Sequence, residues 1–425
     1  MIFNILFSIV IWGTLLFAVF KFIPVTGINV GQKYLKMTVH KGISVSTETM
    51  LKIFFAALLF RMAVYFFSVI SAVLMLKPDK LTVDFILNSW NRWDALRYIS
   101  ITENGYMGML EENEPVNCVF FPLYPWLVRL FHIFIRDTRC ACLVVSTLAY
   151  SGAMPFLYAL VAGEYGRRTG ILTCIYLSVA PFAFFLGGMM SESVFLFTTV
   201  LSWYYISRKK WMYAGIAGFF AAMSRIAGVL IVIPFIMEII ESNSLLIQTK
   251  KYKKFFTKCI RQGIWGLIIP CGILVYLLIN YRYTGNPFKF MEYQQKFWHH
   301  TSCYFGKGLQ TMWNDTLSSG RNWISKMDLF IPQTAAYTIE AIIIAVFCYR
   351  HRSVYTIYFI AYFILNTGIT WSMSGARYAA LNIPFYIIIA EITEKNEKLQ
   401  IGFILSSAML FGIYGTMYLA GHQIM

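Results

Sequence analysis

Charged residues are scarce in this sequence. Only 13% of its 425 residues are Asp, Glu, Lys or Arg, and 58% are hydrophobic. A soluble domain averages about 25% charged residues and is about half apolar. The surplus apolar residues form runs of about 15 to 25 along the whole length, each long enough to cross a hydrocarbon core. So many runs exclude a soluble domain that follows a single signal peptide.

The alternating pattern of a membrane barrel is also missing from these runs. Only helices and closed barrels satisfy the backbone polar groups in lipid, so the sequence predicts an all-α polytopic membrane protein of about 11–12 spans. We expect residues 1–425 to form one domain without internal repeats. The candidate spans are residues 4–22, 52–76, 140–162, 171–189, 192–207, 211–223, 226–240, 263–281, 332–349, 353–372, 377–392 and 399–419.

Several signatures of metal and nucleotide chemistry are absent. The eight cysteines form no C-x-x-C pair and no Cys/His ligand spacing, which argues against a zinc site or a disulfide framework. The sequence contains no Gly-rich phosphate loop, nucleophile elbow or H-E-x-x-H helix. His299 and His300 are adjacent, so their side chains point in different directions and metal binding is the weaker interpretation. We therefore expect no metal and no cofactor.

Basic residues outnumber acidic ones and give a net charge of +16. They cluster in short loops, which is typical of the cytoplasmic side of a membrane protein and does not require nucleic acid as a partner. The four clearest loops are Gly166–Arg168, Arg208–Lys210, Lys250–Lys254 and Arg350–Arg352.

The loops share one side only if residues 211–240 cross the membrane twice. That topology predicts a break at Met223-Ser224-Arg225, with Arg225 at the outer surface and the 23–51 loop, which holds Lys33, Lys36 and Lys41, inside.

Two long loops, 77–139 and 282–331, then lie outside. The first holds seven Lys/Arg against eight Asp/Glu and the second six against three. Long loops obey the charge rule only weakly, so the second does not overturn the topology. Both contain short aromatic-rich stretches, Phe120–Trp126 and Phe288–Trp298, that are typical of amphipathic helices in the membrane interface.

A polar, aromatic-rich stretch from Asn88 to Tyr106 stands between very apolar segments. At helical spacing Asp94, Arg97 and Tyr98 share one face. A carboxylate at the membrane surface can act as a general base for an acceptor hydroxyl, and aromatic rings can stack on a sugar or an isoprenoid tail. The alternative is a solvated loop with interfacial aromatic residues.

Three charged residues interrupt or border apolar spans. Arg225 and Arg377 are both placed outside, and two guanidinium groups there could hold a lipid phosphate. The alternative is that both side chains snorkel at helix ends. Glu192 begins a span, where Ser191 could cap the helix and the acid would favour its dipole; substrate binding is the other interpretation.

The ordered set of these motifs resembles the PIG-V family, which adds the second mannose in GPI-anchor synthesis, and especially its bacterial relatives. The residues that carry the resemblance span 90 to 390 in family order. They are Trp93-Asp94, Tyr98-Ile99, Asn104-Gly105-Tyr106, Phe120–Pro125 with Arg129, Ser191–Ser193 with Phe195-Leu196, Ser224-Arg225 with Gly228, Thr284–Pro287 with Phe290, Gln295 and Trp298, and Arg377-Tyr378 with Pro384.

The resemblance implies a GT-C glycosyltransferase fold and a polyprenyl-phosphate sugar donor, used on the outer face of the bacterial cytoplasmic membrane. The acceptor would be a lipid or a glycan. Asp94 matches the catalytic Asp of the family's first large outer loop, and the span at 4–22 has no counterpart. The residues expected to bind substrate are Arg225, Arg377, Arg97, Arg92, Glu192, Trp93, Tyr98, Tyr106, Tyr124, Gln295, Trp298 and Tyr378.

Two other functional classes fit a polytopic chain. A lipid-linked sugar flippase would explain intramembrane arginines, but it should show paired half-helices or internal repeats, and only the break at Arg225 is evident. A non-catalytic scaffold would not concentrate polar residues on one face.

Overall fold

The computed structural model of the protein describes residues 2–26, 44–371 and 374–424, and this part of the chain is almost entirely helical. Its α-helices are α1 Ile2–Phe22, α2 Thr47–Leu76, α3 Val83–Trp90, α4 Asp94–Asn104, α5 Leu123–His132, α6 Thr138–Tyr165, α7 Arg167–Val179, α8 Glu192–Ser207, α9 Trp211–Ser224, α10 Val232–Ser242, α11 Ser244–Gln248, α12 Tyr252–Gly263, α13 Ile268–Thr284, α14 Lys289–Trp298, α15 Phe305–Leu317, α16 Trp323–Ser325, α17 Ile331–Val346, α18 Ser353–Thr367, α19 Gly375–Ala379, α20 Ile383–Thr393 and α21 Glu397–Leu419.

Six helical segments of the described chain are long and apolar enough to span a membrane. They are Phe7–Thr26, Thr47–Leu76, Thr138–Tyr165, Tyr252–Thr284, Trp323–Val346 and Glu397–Leu419. The other predicted spans correspond to shorter helices, and some of these helices are preceded or followed by a 3₁₀ turn. The 171–189 segment differs most from its prediction, because α7 stops at Val179 and a separate 3₁₀ turn, Ala183–Gly187, follows Pro181.

The core of the bundle lies around α6 and α8. Most of α6 is buried, and α8 packs against both α6 and α9. By contrast, α2 exposes large apolar side chains such as Leu59 and Phe66. In an aqueous protein this exposure would be unfavourable, whereas a bilayer covers such a surface. The all-α polytopic membrane architecture predicted from the sequence is confirmed.

The chain breaks at Arg225, as the charge pattern predicts. Helix α9 ends at Ser224, Arg225 is extended with φ −157° and ψ 150°, and a 3₁₀ turn over Ile226–Ile231 leads into α10. Gly228 makes the sharp return possible, because a Cβ there would lie 2.3 Å from the carbonyl carbon of Ala221. The break thus holds the Arg225 guanidinium at the tip of two short antiparallel segments.

The basic loops lie at the opposite end of the bundle. Arg352 binds Glu164 at the end of α6 and both Glu238 and Glu241 at the end of α10, at 2.8, 3.0 and 2.9 Å. These ion pairs place the loops that follow α6 and precede α18 side by side. Lys33, Lys36 and Lys41 of the 23–51 loop lie outside the described residues.

The two long loops fold into short helices over the other end. Helices α3, α4 and α5 belong to the first loop, and α14 and α15 to the second. Helix α14 packs on the 3₁₀ turn Val116–Val119 of the first loop. The Tyr293 hydroxyl of α14 also donates to Glu114 at 2.7 Å. The loops therefore form one layer, and this layer carries Asp94.

Candidate active site

Asp94 begins helix α4, within the layer that the two long loops form. The preceding residue, Trp93, has φ 51° and ψ −118°. A residue with a Cβ rarely adopts this conformation, and such strained backbone is concentrated at functional sites. The sharp turn at Trp93 sets the direction in which α4 leaves and so points the Asp94 carboxylate toward the helices below.

Arg377, on the short helix α19, joins Asp94 to Glu192. Its Nη1 donates to Asp94 Oδ2 at 2.8 Å, and its Nε donates to Glu192 Oε1 at 2.5 Å. The Arg377 side chain is only 2% exposed, whereas that of Asp94 is 25% exposed. A planar guanidinium can hold two carboxylates in fixed directions at once, which a lysine cannot do. Arg377 thus connects the buried helices to the accessible carboxylate.

Arg225 completes the network from the break between α9 and α10. Its Nη1 donates to Glu192 Oε1 at 2.6 Å and lies 3.4 Å from Ser191 Oγ. The guanidinium also lies over the Tyr378 ring, with Cζ 4.4 Å from the ring centroid. Glu192 therefore binds both arginines through a single oxygen.

The network contains two guanidinium groups and two carboxyl groups. If both carboxyls are ionised, the four charges cancel, which lowers the cost of burying them. Glu192 is 1% exposed and Arg225 is 15% exposed, so accessibility increases from Glu192 toward Arg225 and Asp94. Within the described residues, Glu192 Oε2 is buried and has no hydrogen-bond partner. The accessible edge of the network is the part that can meet a ligand.

Aromatic side chains form one wall beside the network. The Tyr98 hydroxyl donates to Ser191 Oγ at 3.0 Å, and its ring meets Phe120 and Tyr124 edge-on. Burial raises the pKa of Tyr98, so its hydroxyl stays protonated and serves as a donor. Trp298 extends this wall, with its ring centroid 6.2 Å from that of Phe120.

Ser191 does not cap helix α8. Its side chain makes no capping hydrogen bond, although it occupies the N-cap position. The hydroxyl instead meets Tyr98 and Arg225. Of the two interpretations of this helix start, capping by Ser191 is therefore not the one observed, because the hydroxyl is taken up by contacts across the fold.

His300 was not among the predicted substrate-binding residues, yet it lies close to Asp94. Burial lowers its pKa to about 4, although the charge of Asp94 raises it in part. Its Nε2 is buried and unpaired among the described residues. The imidazole is therefore neutral near pH 7 and has an unused polar atom beside the site. The only sequence signal is the His299-His300 pair after Trp298, which gives no direction for either ring.

Two of the predicted arginines have other partners. Arg97 forms an ion pair with Glu111 and so ties α4 to the turn that follows it. Burial lowers the pKa of Arg97, and Asp94 raises it. Arg92 donates from Nη2 to the carbonyl oxygen of Leu419 at 3.0 Å. Arg92 therefore fastens the first long loop to the end of α21.

The remaining predicted residues divide into contacts within the layer and surface positions. Tyr106 donates to the Phe120 carbonyl oxygen at 3.2 Å, and the fully buried Tyr124 donates to that of Cys142 at 3.1 Å. Both hydroxyl groups therefore bind the protein backbone. Gln295 is exposed on α14, and no described group holds it in place.

The described part of the chain contains no group of three or more His, Cys, Asp or Glu residues that could hold a metal ion. The polar groups of the site are instead guanidinium groups, carboxyls and hydroxyls. This set can bind a phosphate or sugar hydroxyls and can accept a proton.

Comparison with known proteins gives one family match. Residues 115–269 match the family of dolichyl-phosphate-mannose-protein mannosyltransferases. The matched part contains Glu192 and Arg225 but neither Asp94 nor Arg377. No curated protein sequence matches the chain.

Among solved structures, the chain is similar to ArnT from Cupriavidus metallidurans bound to undecaprenyl phosphate. That similarity has 11% identity and a TM-score of 0.47, and it covers 80% of this chain and 76% of that one. The family match supports a membrane glycosyltransferase.

Proposed function

We propose that the protein is an inverting membrane glycosyltransferase that uses a polyprenyl-phosphate hexose as donor, with mannose as the expected sugar. Asp94 accepts the proton of an acceptor hydroxyl while that oxygen attacks the anomeric carbon. The bond from the anomeric carbon to the phosphate oxygen breaks, and polyprenyl phosphate leaves with the electron pair. The acceptor is a lipid or a glycan.

The observation that carries this proposal is the anchoring of Asp94 by Arg377. The carboxylate is accessible, yet one oxygen is fixed by a buried guanidinium group at 2.8 Å. A general base must be held in one position within hydrogen-bond reach of the proton that it removes. A solvated surface carboxylate would not need a buried partner. Asp94 has one in Arg377, which lies 283 positions away in the sequence.

Arg225 is the better candidate for the donor phosphate. Its hydrogen bonds to described residues all use Nη1, so Nε and Nη2 are left for a ligand. Arg377 already uses Nε and Nη1 for the two carboxylates. In this mechanism Arg225 stabilises the charge that develops on the leaving phosphate, and Arg377 positions the base.

The aromatic wall provides surfaces for the apolar faces of the substrates. Trp298 is half-buried beside Phe120, and Tyr378 lies under the Arg225 guanidinium. A sugar ring presents C–H faces that pack on such rings, and an isoprenoid tail is apolar throughout. We place this side of the protein on the extracytoplasmic face of a bacterial cytoplasmic membrane, because the basic loops lie at the other end of the bundle.

Sugar transfer by the purified protein tests the proposal. The protein in nanodiscs receives radiolabelled polyprenyl-phosphate mannose and a membrane lipid extract, and the labelled products are separated from the donor. We expect transfer by the wild type and a loss of about 10²–10⁴-fold in Asp94→Asn, the range that general-base catalysis contributes. Asp79→Asn removes an exposed carboxylate from the same loop and should leave transfer unchanged.

Wild-type transfer rates in folded Asp94→Asn would overturn the assignment of the base. A folded wild type that neither transfers the sugar nor hydrolyses the donor, with mannose and other hexoses alike, would overturn the transferase. Movement of an intact lipid-linked sugar across the bilayer would then identify a flippase.

A further inference from the structure

We propose that helix α12 and the cleft beside it bind anionic phospholipids of the leaflet opposite to the Asp94 network. This surface is independent of the transferase chemistry. Helix α9 runs from Trp211, which lines the cleft, to Ser224 beside Arg225. The length of α9 therefore separates the cleft from the candidate active site.

The length of the helical segment places α12 at a membrane boundary. Helices α12 and α13 form one continuous segment of 33 residues, Tyr252–Thr284. At 1.5 Å per residue this segment is about 50 Å long, whereas the hydrocarbon core is about 30 Å thick. About a dozen residues therefore extend past the core. Because α13 is the more apolar part, the excess corresponds to α12.

Helix α12 has an apolar stripe that none of the described elements covers. Tyr252, Phe256 and Ile260 recur every fourth residue and are each more than half exposed, and Ile264 continues the stripe. In the sequence, lysines flank the first three of these apolar residues. An amphipathic helix with this pattern lies with its apolar stripe in the acyl chains and its basic flanks at the head groups.

The positive charge of this surface is not neutralised by acidic side chains of the described residues. The segment 249–262 contains six basic residues and no acidic one: Lys250, Lys251, Lys253, Lys254, Lys258 and Arg261. None of them forms an ion pair with a described carboxylate, whereas Arg352, at the same end of the bundle, is held by three glutamates. An anionic lipid surface supplies the missing counter-charge.

The cleft gives the surface a defined position for a head group. It has a volume of about 540 Å³ and is lined by Trp211, Lys258, Arg261, Gln262, Ile264 and Trp265. Two indole rings beside two cations match the border of a bilayer, where tryptophan is enriched and lipid phosphates lie. Lys258 and Arg261 are three positions apart and so project from one face of α12. These two cations are the residues to test.

Lipid retention measured by native mass spectrometry tests this site. The full-length protein in detergent is titrated with phosphatidylglycerol or with phosphatidylcholine of the same acyl chains. We expect the wild type to prefer phosphatidylglycerol, and the double variant Lys258→Gln/Arg261→Gln to bind it about thirtyfold more weakly, since each cation near an anionic surface contributes about fivefold. Lys80→Gln/Lys307→Gln removes two exposed cations elsewhere and should retain the preference.

The swapped variant Lys258→Arg/Arg261→Lys keeps both charges and should bind as the wild type does, so a loss in the glutamine variant alone is not a folding defect. The proposal is overturned if the wild type binds both lipids equally or if the glutamine variant keeps the preference. It is also overturned if water-soluble glycerol phosphate displaces the lipid at equal concentration, because the site would then bind free anions and not a membrane surface.

Discussion

Arg377 donates to Asp94 at 2.8 Å across 283 positions of sequence, and the same guanidinium binds Glu192 in the core. One side chain thereby couples the layer of interfacial helices to the membrane bundle. The position of Asp94 therefore depends on this contact as well as on α4. A change in Arg377 should therefore affect Asp94 even where it leaves the charge intact.

The first prediction concerns Arg377→Lys. A lysine keeps the positive charge but cannot direct two hydrogen bonds in the fixed plane of a guanidinium. We expect sugar transfer to fall about 10- to 100-fold, the equivalent of one hydrogen bond to a charged group. Arg168→Lys is the matched control, because Arg168 forms an exposed ion pair with Glu397, and it should transfer the sugar as the wild type does. Equal rates for Arg377→Lys and the wild type would show that Asp94 is held by other groups.

The sequence was sufficient for the all-α membrane architecture and for the break at Arg225, but not for the bounds of every span, since only six segments of the described chain are long and apolar enough to cross a membrane. Apolar runs and the charge of the loops can be read from short stretches of sequence. They predict the architecture because a bilayer admits only paired backbone in its core and favours basic loops on the cytoplasmic side. The charge pattern also required 211–240 to turn back, and Gly228 allows the close approach that this turn needs.

The pairing within the site could not be derived in the same way. Glu192 lies 33 positions from Arg225 and 185 from Arg377, so their contact depends on how the helices pack. A helix start with Ser191 and Glu192 fits the local rules for capping and the helix dipole. These local rules explain the two residues without any contact to the rest of the protein. Only the tertiary structure shows that Ser191 and Glu192 bind Tyr98 and the two arginines.

The second prediction concerns the stability that depends on Glu192. Glu192→Gln leaves the buried Arg377 and the mostly buried Arg225 with one carboxylate, and an uncompensated buried charge costs about 3–5 kcal/mol. We expect a clear decrease in the thermal unfolding temperature in detergent. Glu397→Gln removes an acid of an exposed pair with Arg168 and should have no measurable effect. Identical unfolding temperatures for Glu192→Gln and the wild type would mean that the arginines are neutralised by solvent or lipid.

The third prediction compares two glycines. Gly228→Ala places a methyl group 2.3 Å from backbone atoms of Ala221 and Ala222, so the return after Arg225 must open. We expect lower stability together with weaker donor binding. Gly402 lies in α21 with no atom within 4 Å of its added Cβ, and Gly402→Ala should be neutral or stabilising by up to about 1 kcal/mol. Thermal unfolding of both variants measures the difference; equal effects would place the strain elsewhere.

The fourth prediction is a pH dependence that originates at His300. Burial lowers the pKa of this imidazole from 6.5 to about 4 in the folded protein. Between these two pH values the unfolded chain takes up a proton at His300 and the folded protein does not. Stability therefore falls as the pH decreases from 6.5 toward 4 and is unaffected by this group above that window.

His300→Asn removes this proton uptake and keeps a polar side chain of similar size. Thermal unfolding of the wild type and the variant is measured from pH 4 to pH 8, and the difference between their unfolding temperatures isolates His300 from other titrating groups. We expect a constant difference above pH 6.5 that shifts steadily in favour of the variant below it. A difference that stays constant over the whole range would mean that His300 titrates alike in the folded and unfolded chains, and the imidazole would then be solvated and not buried beside Asp94.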